Sequence, residues 1–219
     1  MYNFIIPYRD RKEHLNEFIK RFTPFTNANF YIIHQLHPGE FNRGALKNIG
    51  FLEASKINPD GLFIFHDVDT YPTYQGTLNY ETKKGEIRHP IKTNENLGGI
   101  CCFWKKEFEL INGFPNYWGW GIEDCTILHR AIKANIYIDR SNSVDLNDKS
   151  KIYIPNHLRN IKKEKEYCNR NIELHKKEVE TGDNNNGLSN ISYEVLSFFE
   201  FAPRFTCINV DFKTHVVLK

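Results

Sequence analysis

The sequence predicts an α/β fold in a single domain, built on an open, mixed but mostly parallel sheet flanked by helices. Apolar runs alternate with helical patterns from the N-terminus onward, which is typical of parallel strands joined by right-handed helical crossovers. The third apolar run, GLFIFHD, shows no alternation, as expected for a strand covered on both faces. With 219 residues, 40% of them hydrophobic, and no linker between two units, the chain can form one large core.

Five elements at the start of the chain support this prediction. Residues 2–6, 30–35 and 61–67 are strand candidates, and residues 9–22 and 42–57 carry helical patterns. The apolar residues at helical spacing are Leu15, Phe18, Ile19 and Phe22 in the first helix, and Ala45, Leu46, Ile49, Leu52 and Ile57 in the second. The order strand, helix, strand, helix, strand predicts two parallel crossovers.

The remainder of the chain is less regular. Residues 73–97 are polar and predict a long loop with a short hairpin. The further strand candidates are 98–104, 136–140 and 151–155, with β-rich segments at 192–201 and 204–212; helices are expected over 105–111, 122–135 and 158–180, and loops over 112–121 and 181–190. The helix that begins near residue 122 has Glu123 and Asp124 in its first turn, which suits the helix dipole.

Composition excludes several classes of protein. A formal charge of +2, from 29 basic and 27 acidic residues, gives no electrostatic footprint for nucleic acid. The basic cluster at 162–171 is interleaved with Glu, like a solvated helix face. Five cysteines without a C-x-x-C motif indicate free thiols in a reducing compartment. Because no signal peptide or apolar span is found, we expect a soluble, cytoplasmic protein with no transmembrane anchor in this chain.

Two carboxylates end the third strand candidate, as Asp67-Val68-Asp69. Ligand sites in open α/β sheets lie outside the carboxyl ends of the strands. Paired carboxylates at such an end can hold Mg²⁺ or Mn²⁺, which keeps positions open for phosphate oxygens. The alternative is a pair of solvated acids that turn the chain into Tyr71-Pro72, and the D-x-D spacing by itself leaves both readings open.

The segment NYWGWGIED, residues 116–124, interleaves aromatic residues with glycines. Aromatic faces stack on the apolar faces of sugar rings, and glycines allow a flap to move. Glu123 or Asp124, beside such a flap, could accept a proton from a sugar hydroxyl as a general base. The alternative is a packed aromatic loop followed by ordinary first-turn acids.

Basic side chains and one histidine border the same predicted cleft. Arg9 and Arg11 follow the first strand, and Arg43 begins the second helix. Each could pair with a diphosphate or lie on the surface of a helix. His157 follows the strand candidate at 151–155, and it is either a metal ligand or a hydrogen-bonded structural residue.

Five segments of the chain together resemble one family. They are PYRDRKEHL, FNRGALKNIGFLEA, FIFHDVDTYP, GGICCFWKKEFELINGFPNYWGWGIED and GLSNISYEVL. In order and spacing they resemble the beta-1,4-galactosyltransferase family over about residues 3–212. The resemblance implies a GT-A fold and an inverting, metal-dependent glycosyltransferase. It also implies one catalytic domain over 1–219, with a nucleotide-sugar half of about 1–100 and an acceptor half of about 101–219.

The resemblance assigns roles to the matching positions. The nucleotide-sugar-binding positions are Pro7, Tyr8, Arg9, Arg11, Phe41, Arg43, Asp67, Val68, Asn96, Gly98, Gly99 and Trp120. The catalytic positions are Asp124, as the general base, and its neighbour Glu123; the acceptor-binding positions are Trp120, Asp124 and Cys125; the metal ligands are Asp69 and His157. The implied cofactor is Mn²⁺ or Mg²⁺, which with Arg9, Arg11 or Arg43 would stabilise UDP as it leaves.

Four positions depart from the family pattern. Ile154 stands where vertebrate members have a methionine ligand, so the metal site has one protein ligand fewer. Cys125 replaces an acidic residue that helps to hold the acceptor sugar, and Ile122 replaces a glycine of the flap. Asn96 stands where galactose-transferring members carry a tyrosine, and its smaller side chain leaves room for an N-acetyl group.

The sequence therefore predicts a UDP-sugar-dependent hexosyltransferase that takes UDP-Gal or UDP-GalNAc as donor and a glycan or glycoconjugate as acceptor. Two alternatives stay open. One is a chondroitin-type or other UDP-hexose transferase, because such relatives share the D-x-D and W-G-x-E-D features. The other is an inactive UDP-sugar-binding module, suggested by Ile154 and Cys125. The missing anchor and stem suit a bacterial or viral protein or a trimmed domain.

Overall fold

An eight-stranded mixed sheet forms the centre of the computed structural model, which describes residues 1–93, 95–155 and 161–213. In chain order the strands are β1 Tyr2–Tyr8, β2 Ala28–Gln35, β3 Leu62–His66, β4 Tyr71–Pro72, β5 Glu86–Arg88, β6 Ile100–Phe103, β7 Tyr137–Asp139, β8 Ile152–Tyr153, β9 Tyr193–Ala202 and β10 Phe205–Phe212. The sheet order is β7-β5-β6-β3-β1-β2-β10-β9, and β4 pairs with β8 in a separate small sheet.

Helices cover both faces of the sheet. They are α1 Lys12–Phe22, α2 Arg43–Ile57, α3 Lys105–Leu110, α4 Glu123–Lys133 and α5 Ile161–Thr181, with a short 3-10 turn at Leu188–Asn190. Because side chains alternate along a strand, β1 sends Phe4 and Ile6 into the apolar cluster beneath α1 and Ile5 into the cluster beneath α2. The core is therefore double, with the sheet between its two halves.

The parallel strands at the centre position the candidate site. β1 lies between β2 and β3 and runs parallel to both, with Ile5 opposite Tyr31 and Phe65. β10 continues the parallel set beside β2, whereas β6 is antiparallel to β3. The carboxyl ends of β1 and β3 consequently meet at one edge, where a ligand cleft is expected in an open α/β sheet.

Most sequence-predicted elements are present within one to three residues of their predicted ends. The exception is the segment 73–97, which forms no hairpin in its described residues; instead β5 pairs antiparallel with β6 and parallel with β7. The strand β4, of two residues, was not anticipated because Tyr71-Pro72 is too short to show a pattern. Ile57, expected on the buried face of α2, is 58% exposed at the end of the helix.

The basic cluster at 162–171 in α5 is largely the solvated face that the sequence predicts, since Lys162, Lys165 and Glu166 are exposed, but the helix also has a packed side. Its Asn171 is fully buried, and its Lys163 and Tyr167 line the cavity at the carboxyl ends of β1 and β3 that is described below. All five cysteines are free thiols, in agreement with the sequence prediction. None of the helices in the described part of the chain has both the length and the apolar character that crossing a membrane would require.

Candidate active site

A cavity of about 470 Å³ opens at the carboxyl ends of β1 and β3. The starts of α2 and α4, the loop before α4 and the first turns of α5 complete its wall. Ten of the sequence-predicted site residues line it: Pro7, Arg9, Arg11, Phe41, Arg43, Asp67, Val68, Asp69, Trp120 and Glu123. Segments far apart in the sequence thus meet at the edge that the parallel strands define.

Arg43, which lines the cavity, joins three carboxylates. Its Nε donates to Glu123 Oε1 at 2.6 Å, its Nη1 donates to Asp67 Oδ2 at 2.7 Å, and its Nη2 donates to Asp124 Oδ2. The planar guanidinium has several N–H donors in fixed directions, so it can pair with three carboxylates at once better than a lysine would. The side chain of Asn42 caps the helix by accepting from the amide of Ala45, which fixes Arg43 in the first turn of α2.

Lys47 approaches the same carboxylates from one helical turn further along α2. Its Nζ lies 3.5 Å from Asp124 Oδ1 and 3.6 Å from Asp67 Oδ1, and its side chain is only 1% exposed. Burial would lower the pKa of Lys47, but the charges of Asp124 and Asp67 outweigh it and raise this pKa above its usual value. Lys47 is therefore a permanent cation beneath the cavity.

Asp124 stays ionised in this environment. Burial alone would raise the pKa of its carboxyl, but the charges of Arg43 and Lys47 outweigh burial and hold the pKa below the ordinary value of 3.8. The Asp124 side chain is 13% exposed. Glu123 lines the cavity, but its Oε2 is buried and has no hydrogen-bond partner among the described residues.

Asp69 lies at the cavity wall beside Arg11, with 3.6 Å between Arg11 Nη1 and Asp69 Oδ2. In the described part of the chain, no group of three or more His, Cys, Asp or Glu side chains is arranged to hold a metal ion. The predicted ligand His157 lies outside the described residues, and Ile154 offers no donor atom. A carboxylate beside a phosphate-sized cavity nevertheless fits Mg²⁺ or Mn²⁺, which often take one or two protein carboxylates and complete their shell with phosphate oxygens and water.

The loop at 112–121 is held by helices on two sides. From α2, the buried Asn48 donates to Phe114 O at 2.7 Å and accepts from Phe114 N at 2.9 Å. From α5, Asn171 donates to Gly121 O at 3.1 Å, and Arg170 donates to Trp118 O. Trp120 projects from the secured loop with 49% of its surface exposed at the cavity wall. An indole presented in this way suits stacking on a sugar ring.

The junction of this loop with α4 has a strained backbone. Ile122 precedes the helix with φ +76°, in the left-handed region that β-branched residues rarely adopt. By the resemblance drawn from the sequence, Ile122 stands where the family has a glycine of the flap. Gly121, with φ +104°, supplies the adjacent turn. The strained junction sets the direction in which Glu123 and Asp124 enter the site.

The segment Asn96–Gly99 lies beside Asp124. Asn96 Oδ1 accepts from Gly98 N at 2.8 Å and from Thr93 Oγ1 at 3.1 Å, so the amide is folded back on its own loop. A Cβ atom added to Gly98 would lie 2.9 Å from Asn96 Oδ1 and 3.1 Å from Asp124 Oδ2. Gly98 therefore permits the close approach of this loop to the carboxylate.

Other predicted residues have different surroundings. Arg9 donates to Gly39 O at 2.6 Å and lies over the ring of Phe41, so it also secures the segment before α2. Tyr8 packs edge-on against His34, with ring centroids 5.0 Å apart. Cys125 is half-buried in the first turn of α4, and burial, followed by the charge of Asp124, raises the pKa of its thiol. Tyr8, Asn96, Gly98, Gly99, Asp124 and Cys125 lie outside the cavity wall itself.

Sequence reasoning missed several residues of this site. From α5 these are Lys163, Glu164 and Tyr167, and from elsewhere Asp10, Glu40, Lys47 and Gly119. Lys163 pairs with Glu40 at 2.7 Å across the rim. The α5 residues follow no motif, because their position depends on packing over the loop. Lys47 belongs to ALKNIGF, a segment that is buried throughout, so its place at the site likewise depends on tertiary packing.

Two family models match consecutive parts of the chain. Residues 2–81 match the N-terminal region of glycosyl transferase group 7, and residues 82–158 match the N-terminal domain of galactosyltransferase. Beta-1,4-galactosyltransferase 4 of Cricetulus griseus is 33% identical over 228 residues, covering 97% of this chain and 63% of the relative. For beta-1,4-galactosyltransferase 1 of Bos taurus the identity is 32% over 224 residues, covering 96% and 54%. The chain thus spans between about half and two thirds of the length of these curated relatives.

A solved structure extends the likeness to the fold. A mutant of Drosophila beta-1,4-galactosyltransferase 7, in complex with manganese, UDP-Gal and xylobiose, has a TM-score of 0.82 at 25% identity, covering 97% of this chain and 94% of that chain. The mixed, mostly parallel sheet flanked by helices is that of a GT-A-type glycosyltransferase domain. Within that class, the chain belongs to the beta-1,4-galactosyltransferase family.

Proposed function

We propose that this chain is a metal-dependent galactosyltransferase that moves galactose from UDP-Gal to a hydroxyl of an acceptor sugar with inversion. The observation that carries the proposal is the charge cluster in which Arg43, at the wall of a cavity of about 470 Å³, pairs with Asp67 and Glu123 of the same wall and with Asp124 beside it. The family membership supports it, as does the Drosophila relative that was crystallised with manganese, UDP-Gal and xylobiose.

In this proposal Asp124 is the general base. Its carboxylate is ionised and directed by Arg43 and Lys47, so it can accept the proton of the acceptor hydroxyl as that oxygen attacks the anomeric carbon. Glu123, which lines the cavity and pairs with Arg43, is the neighbour of Asp124 at the reacting centre. Trp120 stacks on the sugar and helps to exclude water from the reacting centre.

Asp69 and His157 are the residues that would hold the metal ion. When bound, the ion supplies positive charge that offsets the charge developing on the leaving diphosphate. Arg11, at the same wall, adds a cation within reach of the phosphates. Ile154 contributes no ligand, so we expect weaker metal binding than in a site with three protein ligands.

UDP-GalNAc is the second candidate donor, and Asn96 is the observation that favours it. Its amide is folded onto Gly98 N beside Asp124 and occupies less space than a tyrosine would at that position. The additional space suits the N-acetyl group of the donor. Cys125, in the first turn of α4, leaves the identity of the acceptor sugar open.

A donor panel tests the proposal. Calorimetry with UDP, UDP-Gal and UDP-GalNAc, each with and without Mn²⁺, should show binding that strengthens with the metal. A transfer assay with xylobiose and N-acetylglucosamine as acceptors should then show turnover with UDP-Gal or UDP-GalNAc. Metal-dependent UDP binding without turnover of any donor would instead indicate a catalytically inactive binding module.

A further inference from the structure

Lys47 contributes a second cation to a site that already has Arg43. The two residues are four apart on α2, so they lie on one face of the helix, one turn above the other. Arg43 reaches Oδ2 of both Asp67 and Asp124, and Lys47 faces Oδ1 of both. Each of these two carboxylates is therefore held between a guanidinium and an ammonium.

Lys47 is buried, and its charge is paired with the carboxylates of Asp67 and Asp124. The side chain is 1% exposed, and its Nζ lies 4.5 Å from the centroid of the Phe114 ring. A buried ammonium is strongly unfavourable unless it is paired, and the two carboxylates are its charged partners in the described part of the chain. At 3.5 and 3.6 Å the contacts are longer than good hydrogen bonds, so the interaction is mainly electrostatic.

We propose that Lys47 is a positioning residue that, together with Arg43, holds the Asp124 carboxylate ionised and fixed beside the cavity. The inference rests on the proposed function, in which Asp124 accepts the acceptor proton. Lys47 remains protonated and moves no proton itself. Its effect is to neutralise part of the excess negative charge that Asp67, Glu123 and Asp124 bring together.

Several other groups face Asp124, and the inference takes them into account. They are Arg43 and Lys47 from α2, Asp67 after β3, His89 after β5, Cys101 from β6, and Glu123 and Cys125 from α4. His89 is buried and neutral near neutral pH, because burial lowers its pKa to about 4. Burial likewise keeps the Cys101 thiol protonated. Arg43 and Lys47 are therefore the cations that determine the ionisation of Asp124.

The test follows the Asp124 carboxyl by carbon-13 NMR in the metal-free protein, with the signal assigned by its loss in Asp124→Asn. In the wild type it should titrate below pH 3.8. In Lys47→Met the titration should move up by about one pH unit or more, because a cation within ~4–6 Å is lost. Lys47→Gln serves the same purpose if Lys47→Met does not fold, and Lys47→Arg should restore a low value.

Lys56→Met is the matched control, since Lys56 is 65% exposed on the same helix and pairs with Glu53 instead. In Lys47→Met the acid limb of the profile of kcat against pH should also shift to higher pH, while KM for the donor changes less than about threefold. An Asp124 titration at or above pH 3.8 in the wild type, or one that does not move in Lys47→Met, would overturn the inference. Lack of turnover in the wild type refutes the proposed function separately, because the titration needs no substrate.

Discussion

In its proposed role as general base, Asp124 would combine two properties that usually oppose each other. Its pKa is held low by Arg43 and Lys47, so it is ionised at every physiological pH, but a low pKa also makes it a weak base. Proton transfer to such a carboxylate is favourable only when the acceptor oxygen has become acidic, which happens as its bond to the anomeric carbon forms. We therefore expect proton transfer late in the reaction, coordinated with the attack.

Replacing Asp124 with Asn tests this role at the scale of one residue. Asn keeps the size of the side chain and can still accept from Arg43, but it cannot take up the proton. Transfer should fall by about 10²–10⁴-fold, while UDP affinity stays within about threefold of the wild type. Steady-state transfer assays and calorimetry measure the two quantities. Asp60→Asn, in the exposed turn before β3, is the control, and near wild-type turnover of Asp124→Asn would contradict the assignment.

At the scale of elements, α5 and the loop at 112–121 act as one packed unit. Gly119 has φ +77°, and a Cβ atom added there would lie 2.3 Å from Tyr167 Cγ. The close approach lets Tyr167 line the cavity next to Trp120. The helix therefore sets the position of the aromatic loop, although the sequence of α5 alone looks like a solvated surface.

Gly119→Ala should disrupt this packing by two separable effects. The left-handed backbone disfavours alanine by about 1–2 kcal/mol, and the clash with Tyr167 adds about 1–3 kcal/mol. Gly76→Ala is the matched control, because Gly76 has φ +89° and no atom within 4 Å of an added Cβ. Urea unfolding should show a larger loss of stability for Gly119→Ala than for Gly76→Ala. Equal losses would mean that the clash with Tyr167 has no measurable effect on the free energy of unfolding.

The elements also show how far the sequence alone could go. Strands such as β1 and β3 were predictable because unbroken apolar runs report burial on both faces, and D-x-D marked the edge where the cavity lies. The described part of 73–97 was misjudged because β5 is three residues long and is stabilised by neighbours distant in the sequence. The contribution of α5 and the pairing of Lys47 were hidden for the same reason, since both depend on tertiary contacts.

At the scale of the whole molecule, the sheet buries two neutral histidines. His66 ends β3 among the rings of Phe18 and Phe22, and its Nδ1 lies 2.9 Å from Asp67 O. His89 lies beside Gly98 O, at 3.2 Å. Burial lowers the pKa of each to about 4, well below the ordinary value of 6.5. The folded state therefore resists protonation at both positions, whereas the unfolded chain does not.

Acidification should consequently destabilise the fold within a defined window. A histidine with a depressed folded pKa contributes its full stability above pH 6.5 and loses it as the pH falls toward 4. Between pH 7 and 4.5 the free energy of unfolding should drop by about 2–3 kcal/mol per histidine, at ~1.36 kcal/mol per pKa unit. Asp124, whose pKa is lowered in the folded state, changes the free energy of unfolding only below about pH 3.8, so it does not contribute between pH 7 and 4.5. Urea unfolding at a series of pH values measures the slope, which His66→Phe should flatten. A wild-type slope near zero in this window would show that neither histidine is kept neutral by the fold.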